Sequence, residues 1–322
     1  MQQKRFMPII DLICVICLAR LGFTATVPLA QSIDSSPVDP LSANITSVTA
    51  NIDSRFHIES YVEDILVNEN DCLMNVIIAM GYLSAGEFTR PVEPTRYRDP
   101  RYPSVSIMIF GPDVGGGGPI ETRFLLWGLY SGIRPMLQLN DWRLPEFILF
   151  WEGEKVGSIS VATFGPQLSL QGSNSTNFLT QRPTKSSNSK DTSSHINTTQ
   201  PASPNPTIAI KVESTSFGAS LPKINIFMVV LECLLYLARK SSDEVLLAFS
   251  VTPFPPYNVV LRLQPIFRTQ EPFFDYGVAG IGLPTVPSKL ISERHQQWTE
   301  VSFDYVVGNV LIGKGEIARA RP

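Results

Sequence analysis

The sequence predicts an α+β fold, with helices packed on mainly antiparallel sheet and two β-α-β-β-like halves separated by a disordered Ser/Thr/Pro-rich segment. Three observations carry this expectation. Between Pro103 and Val161 a strand pattern, a glycine loop, a helix pattern and a hairpin pattern follow one another without local conflict. From Pro166 to Pro206 the composition turns to Ser, Thr, Asn, Gln and Pro, which bury too little apolar surface to offset the entropy of ordering. After Pro206 a weaker echo of the first pattern returns.

The amino end reads as a signal peptide over residues 1–30. Lys4 and Arg5 form a positive region, Leu12 to Ala19 a short apolar one, and small residues follow at Thr24, Ala25 and Ala30. Asp11 and Arg20 keep the uncharged run well below the ~20 residues of a membrane span. Cleavage is therefore expected, and an uncleaved membrane anchor is the alternative. The lead-in over residues 31–54 is rich in Ser, Pro, Asn and Asp without periodicity and is expected to be disordered. Sequons at Asn44, Asn174 and Asn197 suit a secreted glycoprotein. The polar carboxyl end from Ala318 to Pro322 is unlike a glycolipid-anchor signal.

Cleavage would remove Cys14 and Cys17 and leave Cys72 and Cys233. In an oxidising compartment these two invite one disulfide, which by closing a long loop would contribute about 5 kcal/mol in the chain-entropy model. Both also lie in apolar helical patterns, where a free thiol behaves as a small buried hydrophobe, so the two readings stand side by side.

The first half is expected over residues 55–165. Asp71 is a candidate cap for a helix whose Met74, Ile77, Ile78, Gly81, Tyr82 and Ala85 fall on one face, ending by Gly86. The stretch Arg90 to Pro103 is rich in Pro and Arg and reads as an extended connection. Its Tyr97, Arg98, Arg101 and Tyr102 form either a surface binding strip or a solvated loop. Alternation of Val105, Ile107 and Ile109 gives a strand from Ser104 to Phe110. After the loop Gly111 to Pro119, a helix from Ile120 carries Phe124, Leu125, Leu126, Leu129, Ile133, Met136 and Leu137. Pro119 suits its first turn, and Pro135 should kink or end it. Strands Glu146 to Trp151 and Lys155 to Thr163, joined through Glu152, Gly153 and Glu154, complete a hairpin.

In the second half, residues 207–322, Pro206 and Pro222 repeat the spacing of Pro103 and Pro119. That shift lays Ile208, Ile210 and Val212 on Val105, Ile107 and Ile109, and Phe227 to Val229 on Phe124 to Leu126. The helix Lys223 to Lys240 would then match the helix after Pro119. A second hairpin, Glu300 to Val307 and Val310 to Ala318, places Gly308, Gly313 and Ile317 parallel to Gly153, Gly157 and Ile159 or Val161. On this alignment Asp243 to Trp298 is an insertion containing strands Val245 to Val251 and Val259 to Leu263.

The run Glu121 to Tyr130, followed by Glu146 to Gly153 and by Val156 and Gly157, resembles a group of uncharacterised secreted proteins of filamentous fungi. The resemblance covers Cys72 to Val161 and, more weakly, the second helix and Gly308 to Ile317. It rests on hydrophobic and glycine positions. It implies secretion and a shared scaffold, and no activity.

Chemistry is bounded mainly by what the residues do not assemble. A net charge of −3 and a pI near 5.7, with no basic patch, argue against nucleic acid as a partner. The loop Gly115 to Gly118 offers backbone amides before a helix. However, no Gly-Lys-Ser/Thr follows, Ile120 occupies the third-glycine position of a dinucleotide fingerprint, and Asp113 and Glu121 flank the loop with negative charge. His57, His195 and His295 share no ligand or triad spacing with each other or with the cysteines, and no Gly-x-Ser-x-Gly occurs. No cofactor, metal or catalytic residue is assigned. Glu152, Glu154, Asp141 beside Trp142, and Asp275 between Phe274 and Tyr276 are the carboxylates available to a paired-carboxylate mechanism. The expectation is a secreted, non-catalytic interaction or surface protein whose partner is an extracellular protein or glycan. The alternative is an extracellular carbohydrate-active hydrolase.

Overall fold

The computed structural model describes residues 46–48, 51–164, 210–253, 255–266, 271–292 and 297–320. The first half runs from strand β1 (Thr46–Val48) and strand β2 (Phe56–Leu66) into helix α1 (Glu69–Ser84), then β3 (Pro91–Val92), β4 (Thr95–Tyr97), β5 (Val105–Phe110) and β6 (Ile120–Glu121). It closes with helix α2 (Thr122–Leu139) and the hairpin β7 (Arg143–Trp151) and β8 (Glu154–Thr163). The second half comprises β9 (Ile210–Ser220), α3 (Lys223–Leu237), β10 (Phe249–Val251), β11 (Val260–Pro265), α4 (Tyr276–Gly282), α5 (Thr285–Ser292), β12 (Thr299–Val307) and β13 (Val310–Ala318). Together they are α+β, as the periodicities predict.

Apart from the parallel pair of β1 with β10, the strand pairs are antiparallel. The first sheet has the order β2-β7-β8-β5-β4, and the second β1-β10-β11-β13-β12-β9. With β1 set aside, the two orders are one topology in which β2, β4, β5, β7 and β8 correspond to β9, β10, β11, β12 and β13. The register agrees through most of both sheets, up to a shift in the β9–β12 pairing beyond Ser214 that β2–β7 lacks. Ile58 faces Leu149 as Val212 faces Tyr305, Ser60 faces Phe147 as Ser214 faces Phe303, and Ile107 faces Val161 as Leu261 faces Ile317. Helix α1 thus corresponds to α3, and α2 to α4 with α5.

The repeat is therefore real in topology but differently registered from the one the prolines suggest. The hairpin equivalence holds. Aligning Pro103 with Pro206, however, lays β5 on β9 and α2 on α3, which occupy different positions in their sheets. The stretch Asp243 to Trp298 is no insertion, because it supplies the second copies of β4, β5 and α2. Short amphipathic runs match one another generically, whereas hydrogen-bonded register does not.

The helices lie between the sheets. Helix α2 packs on β2, β7 and β8 and α1 on β5, while α3 packs on β10 and β11 and α4 on β9. Helix α1 also meets α3 and α4, and α2 meets α3, so the two helical layers share one core. The described residues form one compact unit. This position explains why α3 is buried on every side, from Ile226 to Leu237, instead of along one stripe.

Two pairs of equivalent glycines record how closely neighbouring elements approach the sheets. A Cβ at Gly128 would meet Leu149 at 2.6 Å, and one at Gly282 would meet the equivalent Tyr305 at 2.5 Å. Likewise a Cβ at Gly157 would meet Ile120 at 2.3 Å, and one at Gly313 would meet the equivalent Phe274 at 2.4 Å. Only a residue without a side chain fits these contacts.

Several boundaries differ from expectation. Asn68, not Asp71, caps α1, its Oδ1 accepting the Asp71 N–H at 3.0 Å. Asp71 instead accepts the N–H and Oγ–H of Ser104, at 2.9 and 2.5 Å. Helix α2 begins at Thr122, because Ile120 and Glu121 pair with Val92 and Pro91, and it continues past Pro135 to Leu139. The lost N–H of a proline so near the end of the helix leaves only a late backbone bond unmade. Helices α4 and α5 fall in a Gly- and Pro-rich stretch without a clear helical period. The Asp275 carboxylate starts α4 by accepting the Val278 N–H at 2.6 Å.

Candidate functional site

Of the carboxylates available to a hydrolase, Glu152 and Glu154 share the turn between β7 and β8, whereas Asp141 and Asp275 stand elsewhere. Asp141 precedes β7 and Glu152 follows it, so the length of that strand, about 30 Å at ~3.3 Å per residue, separates them. A glycosidase pair needs roughly 5 to 9.5 Å. Three of the four also have a local task. Glu152 pairs with Arg55 at 2.8 Å, and Arg55 pairs in turn with Asp53 at 2.9 Å and lies 4.2 Å from the centre of the Trp151 ring. The hydrogen bonds from Arg55 pull the Asp53 carboxyl down to about 2. Asp141 is chelated by Arg143, whose Nε and Nη2 donate at 2.8 and 2.5 Å and hold that carboxyl below its ordinary value. Glu154 is exposed at the start of β8. Asp275 caps α4, and burial pushes its carboxyl up.

The aromatic residues beside these carboxylates do not line a cleft. Phe274 and Tyr276 are buried in the core, and Trp142 is buried with its indole N–H donating to Asn140 Oδ1 at 3.1 Å.

The glycine loop closes on itself. Gly111 N–H donates to Gly116 C=O at 2.7 Å, Gly116 N–H to Asp113 C=O at 2.8 Å, and Asp113 N–H to Gly117 C=O at 3.1 Å. Those amides are engaged within the loop, so it is a tight connection. His57 stacks on Phe150 on the outer face of the first sheet, with ring centres 4.9 Å apart. His195, His295 and the sequon residues Asn44, Asn174 and Asn197 lie outside the described residues, as does the signal segment. Among the described residues no group of three His, Cys, Asp or Glu side chains is placed to hold a metal ion.

Cys72 and Cys233 are free and fully buried, in α1 and α3. Cys233 corresponds to Ala79 and Cys72 to Ile226, which are ordinary core positions of the repeat. Burial pushes the Cys72 thiol up to about 12 and raises Cys233 as well, which keeps both in the unreactive thiol form.

A groove of about 180 Å³ lies where α1 meets α4 and α5, lined by Ile78, Tyr82, Asp99, Arg101, Ile281 and Pro284. It is smaller than the ~300 Å³ at which small-molecule pockets usually begin. Its one carboxylate, Asp99, pairs with Arg101 at 2.9 Å. Burial disfavours the charged form of Asp99, but the hydrogen bonds from Arg101 outweigh that and keep its carboxyl low.

The Tyr97 to Tyr102 strip is divided by the fold. Tyr102 turns inward and its hydroxyl meets Ser288 Oγ at 2.7 Å, Tyr97 is half-buried, and Arg101 serves Asp99. Buried Asn75 fastens this connection to α1, donating to the Asp71 and Tyr102 carbonyls at 2.8 and 2.9 Å and accepting the Asp99 N–H at 2.7 Å. Arg98 alone keeps an outward course, and it is joined by Arg96. The sequence signal for that pair is the alternation of two arginines in an extended segment, which points both to one face.

No described helix is long and apolar enough to cross a membrane. Compared with family models, with curated proteins and with solved structures, the chain has no match.

Proposed function

We propose that the chain is a secreted, non-catalytic binding protein that meets an extracellular glycan or protein, and that it shares its scaffold with the secreted fungal group its hydrophobic and glycine positions resemble. One observation carries this reading. Asp141 and Glu152 stand at opposite ends of β7, Glu152 and Glu154 are exposed on the turn that follows it, and the groove contains a single carboxylate already paired with an arginine. Helix and sheet residues otherwise fill the interior, which leaves surface features for recognition. The test is incubation of the secreted protein with neutral and acidic polysaccharides, reading reducing ends and retained binding together. Retained binding without new reducing ends is the expected outcome. Reducing ends that disappear in E152Q or D275N would overturn the reading in favour of a hydrolase.

A further inference from the structure

Edge strand β4 of the first sheet and the residues just beyond it carry two arginines with no acidic partner among the described residues. Arg96 in β4 and Arg98 just beyond it are alternate residues of an extended segment, so both leave the backbone on the outer face. Phe164, directly after β8, is tied to the same edge by its N–H bond to the Ser104 carbonyl at 2.8 Å. The Arg96 guanidinium carbon lies 4.2 Å from the centre of the Phe164 ring and that of Arg98 4.5 Å from it. One ring thus holds two cations, against their mutual repulsion.

The anchors of these side chains leave donors pointing outward. Arg96 Nε donates to Ser106 Oγ at 3.1 Å, while Arg98 donates through Nε and Nη2 to the Pro103 carbonyl, at 3.0 and 2.6 Å. Among the described residues, neither Nη atom of Arg96 nor Nη1 of Arg98 has an acceptor. Burial, and then the charge of Arg98, lowers the pKa of Arg96, so the pair sits in a field that favours an added anion. Other arginines of the first half are differently placed: Arg55, Arg101, Arg123 and Arg143 each hold a carboxylate. The second sheet has no counterpart of the cluster. Ser250 and Thr252 stand at the positions of Arg96 and Arg98, and Arg262 on its outer face pairs with Glu316 at 3.0 Å.

We propose that Arg96, Arg98 and Phe164 form a binding site for the oxyanion groups of an acidic polysaccharide. The inference rests on the non-catalytic binding reading above. Two forked donors match sulfate or carboxylate oxygens better than a point charge does. They lie on the exposed outer face of an edge strand instead of in an enclosed pocket, which suits a polymer running across the face over a small molecule engulfed by the protein.

The test uses the full secreted chain with dextran sulfate, polygalacturonate and neutral dextran at about 0.15 M salt. R96Q/R98Q is compared with R262Q/K314Q, which removes the same charge from the outer face of the second sheet, and R96K/R98K keeps the charge but loses the fork. Circular dichroism and thermal unfolding confirm that each variant folds. Binding of at least one acidic polymer, weakened about tenfold in R96Q/R98Q and R96K/R98K and less than about twofold in R262Q/K314Q, supports the proposal, and the preferred polymer identifies sulfate or carboxylate as the group read. Equal weakening by both double variants, no binding of either acidic polymer, or Arg96/Arg98-dependent binding only to phosphatidylserine vesicles or a phosphopeptide overturns it. New reducing ends in these mixtures would instead overturn the non-catalytic reading, whatever the binding data show.

Discussion

The two halves of this protein share a topology and differ in what fills it. In the first half, Phe56, Phe124, Trp127 and Trp151 pack together between α2 and the sheet, with ring centres 5.3 to 6.1 Å apart. Register and helix position place Ile210, Val278, Ile281 and Val307 at the equivalent sites of the second half. Four aromatic rings face four aliphatic side chains. The groove beside Ile210, Ile281 and Pro284 opens on the side where the side chains are smaller. The difference in surface relief thus goes with side-chain volume and with the break of one helix into α4 and α5.

The outer faces diverge as well. The second sheet crosses its strands with the Arg262–Glu316 ion pair, whereas the first carries Arg96 and Arg98 against Phe164. The helix starts show a third kind of divergence. Glu69 and Lys223 occupy equivalent positions at the beginnings of α1 and α3, and they pair with each other at 2.9 Å. An identical residue at both positions would face its own charge. Divergence to opposite charges resolves that conflict.

The largest expected effect tests whether the halves unfold together. Phe147→Ala and Phe303→Ala remove equivalent buried rings, and each should cost about 3 to 5 kcal/mol. With one shared helical core, both should shift the same single denaturant transition, followed by circular dichroism and tryptophan fluorescence. Two separable transitions, each moved by one variant, would mean that the halves are independent.

A smaller effect exchanges the fillings. Trp127→Ile imitates the second half and should cost about 2 to 4 kcal/mol, because it opens a cavity among rings that cannot collapse fully. Ile281→Trp imitates the first half at a residue 42% exposed and should change stability by less than about 1 kcal/mol. Chemical denaturation of both variants checks the asymmetry, and equal costs would remove volume as its explanation.

The Glu69–Lys223 contact is half-shielded and should be worth about 0.3 to 1 kcal/mol. Glu69→Lys alone places two cations together, and the charge-swapped E69K/K223E should recover most of the loss. A double-mutant cycle measures the coupling, and a swap no better than the single variant would show that the pairing is incidental.

The smallest effect is a slope with pH. Burial raises the Asp275 carboxyl above its ordinary 3.8, so the folded state keeps that proton to higher pH than the unfolded chain. This contribution to stability is present at low pH and falls as pH rises from the ordinary value through the raised one. Asp275→Asn keeps a cap acceptor for Val278 and should flatten the slope in the acid range just above the ordinary 3.8, read in urea titrations. An unchanged slope would place its origin elsewhere.

What the sequence determined by itself was local. Alternation of Val105, Ile107 and Ile109 sets β5, Gly153 marks the turn between β7 and β8, and the apolar run after Lys223 makes α3. The lack of any motif that gathers His, Cys or paired carboxylates at a diagnostic spacing was equally legible. A periodic pattern, however, states which face of an element is apolar and not which other face will cover it. The pairing of β2 with β9 as equivalents, the burial of Cys72 and Cys233 apart, the inward turn of Tyr102 and the meeting of Arg96 and Arg98 on Phe164 were decided by tertiary structure. Each depends on strand register and on contacts between residues distant in the chain, which local propensity does not encode.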